Sequence, residues 1–499
     1  MRYTIPPSLC DSYKVGHRAM YPKGITRLQS NWTARGTRVP GVKKAVFFGL
    51  QAFLQRYLME YFNECFFNIP KIEVVARHQA RVVGLLNQPF DASHWEALHD
   101  LRYLPLRFSA LPEGTEVPLR VPCFLVENTH DDFAWLVNYI ESIMSSEIWL
   151  PMTSATLALR FRRMLDVWAM MTSDTPEFVD WQGHDFSFRG MAGLDAASAS
   201  GAAHLLSFAG SDMLTAMDWA DHYYSPNSNK VKFVGGSVPA TEHSVMCAGM
   251  KEAELDTFRR LLEDFPGGII SVVSDTWNLW DVITKILPQL REQILSRRGG
   301  PGDAGKLVIR PDSGDPVTIL CGDPTAPIDH PARKGVVELL WDFHPGTRNT
   351  KGYKVLDPHI GTIYGDAITY DRADEICRRL EAKGFASTNF VLGIGSFTYQ
   401  YVTRDTLGFA MKATWAKVNG KGLDLFKNPV TDNGLKKSAW GRLACKTNKE
   451  GDLELINSVL SFEEKDSLYQ VVWENGEFKK RYTFREVAEL VGVRKILPE

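Results

Sequence analysis

The chain has 499 residues, enough for a large core and two or more domains, and its 44% hydrophobic and 23% charged content is that of an ordinary globular protein. Its net charge of -2 gives no overall electrostatic case for nucleic acid or an anionic membrane, and no apolar run approaches the roughly 18–20 residues that would span a bilayer. Seven scattered cysteines without a C-x-x-C pair, behind an N-terminus with no signal-peptide core, argue against a disulfide framework or a thiolate zinc site and for a reducing, cytoplasmic setting.

Residues 1–150 read as an α+β part. LCDSYKVGHRAMYP is polar and aromatic and is expected to be a loop. Over 46–62, Phe48, Leu50, Phe53, Leu54, Tyr57 and Leu58 recur at helical spacing. The 113–126 stretch alternates apolar and polar residues and carries prolines, which suits an edge strand. From about 151 the texture changes. Leu157, Phe161, Met164, Leu165 and Trp168 mark an amphipathic helix that Thr153 or Ser154 is placed to cap. HDFSFRG (184–190) alternates like a short strand, 192–208 is a helix dense in small residues, and 231–243 is strand, then loop. Leu255, Phe258, Leu262 and Phe265 form a helical stripe closed by Pro266-Gly267-Gly268.

Strand-like runs then alternate with helices. GGIISVVSD ends in Asp275, KLVIRPDSG in a turn, HIGTIYGD in Gly365-Asp366 and NFVLGIGS in Gly395-Ser396. Between them lie the stripes Leu279, Ile283, Ile286, Leu287, Leu290 and Ala373, Ile376, Cys377, Leu380. Continuous apolar strands between amphipathic helices imply an α/β fold with a parallel sheet: a (β/α) barrel-like domain over 151–404, with an open doubly wound sheet as the second choice. Beyond 405, Asn-Gly hairpin signals at 419–420 and 475–476 indicate a β-rich C-terminal part packing with residues 1–150 as one discontinuous α+β domain.

In such folds the site lies at the C-terminal strand ends, where the polar residues of this chain collect. In KLVIRPDSGDP, Arg310 and Asp312 are two apart on an extended segment, so a cation and a carboxylate face the same way, suited to a substrate with phosphate and hydroxyl groups. GPGDAGK (300–306) matches seven positions of a phosphate-binding loop. However, Leu307 stands where Ser or Thr is needed and the stretch precedes a strand, so it reads as a connector. Gly393-x-Gly395 lacks the third glycine of a dinucleotide motif.

DSYKVGHRAMYP, HDFSFRG, FAGSD, SVPATEHS, SVVSD, IRPDSGDP, YGD, TRD and FKNPVTD occur in this order between about residues 10 and 445. Together they resemble the nicotinate/nicotinamide phosphoribosyltransferase group. The resemblance implies a dimeric enzyme, with active sites at the subunit interface, that joins a pyridine to 5-phosphoribosyl-1-pyrophosphate (PRPP) and releases pyrophosphate. It also implies Mg2+ and a coupled ATP hydrolysis. Such a reaction has an oxocarbenium-like transition state, which needs leaving-charge stabilisation and placement more than a strong nucleophile.

By the same resemblance Phe186 stacks on one face of the pyridine and Tyr13 covers the other across the dimer. Asp212 accepts from the carboxamide NH2, with Ser271 and Arg310 near the amide oxygen. An anionic acceptor there favours nicotinamide and repels nicotinate. Arg189, His243 and Arg310 match pyrophosphate contacts, Asp312 the ribose-hydroxyl carboxylate and Asp275 the Mg2+-linked acid. Gly365, Asp366, Gly395 and Ser396 match the ribose and 5′-phosphate site, and Arg404 a phosphate ligand. His243 matches a histidine phosphorylated by ATP, with Glu242 beside it to orient the ring. Arg35, Lys412, Lys427 and Lys436 match cations around the ATP and pyrophosphate phosphates. The chain departs from the pattern at Ser396 and Phe397, which replace glycines, and at Ala410, and the spacing before Lys436 is one residue longer. The other readings are a nicotinate phosphoribosyltransferase and a non-catalytic nucleotide-binding protein on the same scaffold.

Overall fold

The computed structural model describes residues 4–225, 234–427, 439–460, 466–494 and 496. They divide into two units, and the division falls inside one helix, Glu141–Thr172.

The first unit comprises the described residues of Met1–Thr156, Ala220–Asn229 and Val402–Lys495. Its centre is a seven-stranded antiparallel sheet in the order Lys421–Asp424, Phe409–Val418, Ile25–Ala34, Pro122–Asn128, Leu106–Ala110, Gln470–Glu474, Glu477–Phe478. Three N-terminal strands form its middle and two C-terminal strands lie on each side, so one sheet draws on both ends of the chain. Both hairpins turn at Asn-Gly with the left-handed φ that such turns require, 50° and 78° at Asn419-Gly420 and 52° and 88° at Asn475-Gly476. Trp32, fully buried, stacks on Phe409 at 5.4 Å across the central ladder.

Four local expectations change. The 10–22 stretch is not a plain loop: Ser12–Gly16 is a 3-10 turn and His17–Met20 an α-helical turn. The 113–126 stretch holds two strands, Glu116–Pro118 and Pro122–Asn128, and the second is central rather than an edge. Its proline is the first residue, where a missing N–H costs no ladder bond. The helix expected over 46–62 starts at Leu50 behind Gly49, which has a φ of 99° and whose Cβ would meet Pro151 at 2.8 Å. Thr153 and Ser154 do not cap a helix but lie inside Glu141–Thr172, where Thr153 Oγ donates back to Trp149 O at 2.7 Å. Glu113 ties the segments together. Its buried carboxylate accepts from Gly49 N (2.7 Å), Gln51 N (2.6 Å) and Tyr224 OH (2.7 Å).

The second unit comprises the described residues of Leu157–Trp219 and Lys230–Tyr401, together with Ile496. It contains a six-stranded parallel sheet whose spatial sequence is Gly210–Ser211, Gly183–Asp185, Phe390–Ile394, Ile360–Tyr364, Lys306–Arg310, Ile269–Val273. The two edges are joined by residues 236–241. Gly236 exchanges bonds with Ala209 and Ser211, and Ser271 exchanges bonds with Pro239 and Thr241. The result is a barrel whose staves follow chain order, with that irregular segment as one stave. The strand part expected over 231–233 lies outside the described residues, and 234–243 makes bridges rather than a strand. Burial alternates as the fold demands: Leu307 and Ile309 are fully buried against the helix side, while Lys306, Val308 and Arg310 on the other face keep some exposure.

Leu194–His204 falls within the small-residue stretch read as a helix, and Glu254–Asp264 and Tyr370–Ala382 fall where their apolar stripes predict. The stripe over 279–290 is broken instead, with a widened turn at Val282–Ile286 ahead of Pro288. The 300–306 connector makes one 3-10 turn and enters a strand, so it is no phosphate loop. Among the described residues no helix is long and apolar enough to cross a membrane.

Candidate active site

The C-terminal ends of the barrel strands surround a cavity of about 500 Å³. Each strand stops where its sequence stops being apolar. Lys306–Arg310 ends at Pro311; Tyr364 OH donates to Gly314 O at 2.7 Å and fixes the turn. Asp315 then caps the helix Pro316–Cys321 by accepting from Val317 N and Thr318 N.

The cavity wall includes Phe186, Arg189, Asp212, Arg310, Asp312, Gly365, Asp366, Gly395 and Ser396, all singled out in the sequence. The Arg310 guanidinium lies 5.1 Å from the Phe186 ring centroid, and its Nε has no hydrogen-bond partner among the described residues. Arg310 and Asp312 stand 4.0 Å apart, so they form a loose pair rather than a tight one. Asp275 links the next stave: its Oδ2 accepts from Asp312 N at 2.8 Å, and its Oδ1 lies 3.2 Å from His243 Nε2. His243 is thus oriented by Asp275 and not by Glu242, whose carboxylate accepts from Ser244 Oγ.

Asp212 is held by His184 Nε2 at 2.8 Å and by Ser237 Oγ, both on Oδ1. It does not cap the following helix; Ser211 Oγ accepts from Met213 N instead. Burial opposes ionisation of Asp212, but the bonds from His184 and Ser237 and the charge of Arg310 outweigh it and hold its carboxyl below the usual carboxylate range. Asp185, on the opposite face of the same strand as His184, is fully buried, and desolvation pushes its carboxyl up to about 6.

The glycines divide by role. A Cβ at Gly393 would meet the Phe186 ring at 2.3 Å, and one at Gly365 would meet Phe186 and Asp312 at about 3.0 Å, so both make room for the wall itself. Gly395 has open space around its Cα, as a backbone that a ligand approaches would. Ser396 lies against Gly190, and Phe397 stacks parallel on Tyr401 at 5.4 Å, both rings exposed. Ser271 is buried two residues deeper than the strand end, in register with Val308, and its Oγ has no partner among the described residues.

Other expected residues fall in the first unit. Tyr13 is 61% exposed and its neighbour Lys14 is buried in an ion pair with Glu141 at 2.7 Å. Arg35 ends the strand Ile25–Ala34 and its Nε donates to Gly408 O, which brings it beside the Arg404–Thr406 turn. Lys412 is exposed on Phe409–Val418 and Lys427 is exposed beyond the hairpin. Lys436 lies outside the described residues. Sequence reading passed over His184 and Ser237. His184 was legible from its spacing of two from Phe186, but Ser237 gave no signal, because its segment meets Asp212 only through barrel closure.

Residues 181–465 match the Nicotinate phosphoribosyltransferase (NAPRTase) family, and residues 8–64 match the Nicotinamide phosphoribosyltransferase N-terminal domain. The nicotinamide phosphoribosyltransferase of Acinetobacter baylyi is 48% identical over 97% of this chain and 96% of its own length. Those of Mycoplasma pneumoniae and Xanthomonas campestris pv. campestris are 36% and 32% identical, over 87% and 96% of this chain and 94% and 96% of theirs. Two solved structures share the fold at 14% identity: nicotinate-nucleotide pyrophosphorylase from Pyrococcus furiosus (TM-score 0.57, 98% of this chain and 97% of that one) and human nicotinic acid phosphoribosyltransferase (0.52, 96% and 92%).

Proposed function

The chain belongs to the nicotinate/nicotinamide phosphoribosyltransferase family, and from that membership we propose that it transfers the phosphoribosyl group of PRPP to nicotinamide, giving nicotinamide mononucleotide and pyrophosphate for NAD salvage. The observation that carries the choice of pyridine is Asp212, kept ionised in the same cavity wall as Phe186. An ionised carboxylate accepts from a carboxamide NH2 and repels the carboxylate of nicotinate. Incubation with PRPP, Mg2+ and each pyridine tests it; product from nicotinate alone overturns it. In Asp212→Asn, the nicotinamide-to-nicotinate ratio of kcat/KM is expected to fall by about 10²-fold, since a desolvated like-charge contact is worth several kcal/mol. An unchanged ratio removes Asp212 from the role.

Among the described residues five carboxyl groups line the cavity (Asp185, Asp212, Glu242, Asp312, Asp366) against two guanidiniums (Arg189, Arg310), so that wall alone is a poor host for pyrophosphate. That imbalance supports both Mg2+ and cations supplied from elsewhere. Among the described residues no cluster of three His, Cys, Asp or Glu side chains could hold a metal by itself. The oxygen donors of Asp275 and Asp312 suit a magnesium ion that arrives on the pyrophosphate, which needs only one or two carboxylates. Bound there, Mg2+ would neutralise leaving-group charge. The protein's own residues do the rest: Arg310 and Arg189 take phosphate oxygens, Asp312 takes ribose hydroxyls, and Phe186 orients the ring. Tyr13, Arg35, Arg404, Lys412, Lys427 and Lys436 are assigned to the same chemistry, several of them given by a second copy in a homodimer. Seven cysteines with no disulfide among the described residues suit a cytoplasmic setting.

ATP hydrolysis is assigned to His243. With Nε2 against Asp275, Nδ1 is the nitrogen left to take the γ-phosphoryl group as ADP leaves. Acid-labile label from γ-labelled ATP is expected on the wild type and absent from His243→Ala; label that persists in the variant rules His243 out.

A further inference from the structure

We propose that His184, with Ser237, is the positioning pair of the pyridine subsite: together they fix one oxygen of Asp212, leave the other to the carboxamide, and so decide which pyridine is accepted. The proposal rests on the reading of Asp212 given above and adds the two residues that make that reading work.

Three segments meet at one carboxylate oxygen. His184 comes from the strand Gly183–Asp185, Asp212 follows Gly210–Ser211, and Ser237 lies on the segment that closes the barrel. His184 Nε2 and Ser237 Oγ both reach Asp212 Oδ1 and are themselves 3.4 Å apart, which is a three-centred clamp on a single atom. A carboxylate only accepts, so Nε2 carries the proton and donates it. Asp212 Oδ2 takes no hydrogen bond among the described residues. The clamp is built into the fold: His184 is 9% exposed, its ring meets Phe186 edge-on at 5.1 Å, and a Cβ at Gly210 would lie 2.6 Å from His184 Nδ1, so only glycine leaves the ring its place. Phe186, which faces the pyridine, and Asp212, which takes its amide, are thus braced by the same imidazole.

The clamp has a chemical consequence. A free carboxyl turns about its last torsion and takes a proton readily when half-buried; once protonated it offers an O–H, which would welcome the carboxylate of nicotinate. Burial opposes the ionised form of Asp212, and donors from His184 and Ser237 with the nearby charge of Arg310 favour it and prevail. Amide binding needs that ionised form. Removing His184 therefore raises the pH at which Asp212 takes a proton, and nicotinamide activity is lost at a higher pH.

The test uses the full-length enzyme with PRPP and Mg2+, measuring kcat and KM for nicotinamide and for nicotinate from pH 5 to 8 in His184→Ala, His184→Gln and Ser237→Ala. His184→Ala is expected to raise KM for nicotinamide by about tenfold or more, as loss of a hydrogen bond to a charged group does, with kcat within about threefold. Its acid limb moves to higher pH and its relative use of nicotinate grows below pH 6. His184→Gln, which keeps a donor but cannot carry charge, recovers most of the KM and less of the limb shift. Ser237→Ala shows the same signs more weakly. Should His184→Ala fail to fold, the Gln and Ser237 variants decide. Wild-type KM, selectivity and acid limb in all soluble variants, or equal losses in Ala and Gln that track only a lower Tm, overturn the proposal. A wild type that uses nicotinate alone overturns the Asp212 reading and takes this one with it.

Discussion

Replacing Arg310 by Gln is expected to lower kcat/KM by about 10²–10³-fold, the usual cost of removing one preorganised donor from a developing charge. Among the described residues Arg310 is one of two guanidiniums in the cavity wall, and the other, Arg189, is exposed on a short turn. Arg310 instead grows from the end of a barrel strand, its side chain 13% exposed and braced against the Phe186 ring, with an Nε that has no partner among the described residues. Few side-chain torsions remain to be ordered when a phosphate or amide oxygen arrives, so most of its interaction reaches the transition state. Arg310→Lys keeps a charge but loses the planar fork and the stacking, and is expected to recover less than about tenfold of the loss. Steady-state kinetics with PRPP and nicotinamide read both variants, with the thermal midpoint as the control for folding. A Gln variant within tenfold of wild type would remove Arg310 from the centre of the mechanism.

Acidification from pH 7 to 4.5 is expected to destabilise the first unit by several kcal/mol, through two histidines far from the cavity in sequence. His78, on the helix Lys71–Leu86, is 1% exposed, and both its ring nitrogens lack partners among the described residues. His94, on Ser93–Leu101, is 6% exposed and sits edge-on to Trp135 at 4.9 Å. Burial pushes both from the ordinary 6.5 down to about 4, helped at His94 by the charge of Arg18. The unfolded chain binds those protons near pH 6.5 and the folded one only near 4. Their contribution is therefore complete above 6.5 and lost as pH falls toward 4, at roughly 3 kcal/mol each. Glu113 works the other way. Desolvation raises its carboxyl to about 6, so its burial becomes less costly as pH falls, by roughly 2 kcal/mol at most. The two histidines win. Urea unfolding followed by tryptophan fluorescence, for which Trp95 and Trp135 are built-in reporters beside them, should show the midpoint falling steeply below pH 6.5. His78→Leu with His94→Phe should flatten that fall, and a double variant with the wild-type slope would place the acid sensitivity elsewhere.

Much of this was legible before the structure, for local reasons. The strand ends at Asp275, Arg310, Asp366 and Ser396 announce themselves because an apolar run stops at a turn, and a parallel barrel places its chemistry there. Arg310 and Asp312 share a side because a strand repeats every two residues. Asn419-Gly420 and Asn475-Gly476 mark hairpins because few other residue pairs tolerate those angles. Where local signals misled, packing was the cause. Thr153 and Ser154 look like a helix start, yet the helix runs through them from Glu141, and Gly49 leaves space for the ring of Pro151 inside it. The prolines of 113–126 suggested an edge, whereas the strand they flank is central because partners arrive on both sides from distant sequence.

Taken alone, the sequence determined where the apolar strands of the barrel run, where their polar ends fall and which family's motifs they carry, because these depend on residues within a turn or two of each other. Only the tertiary structure decided that residues 236–241 close the barrel, that Asp275 rather than Glu242 holds His243, and that His184, Asp212 and Ser237 share one oxygen. Each of those contacts joins positions tens of residues apart, and such pairings leave no period in a sequence: they exist only once the burial of apolar faces has brought their segments together.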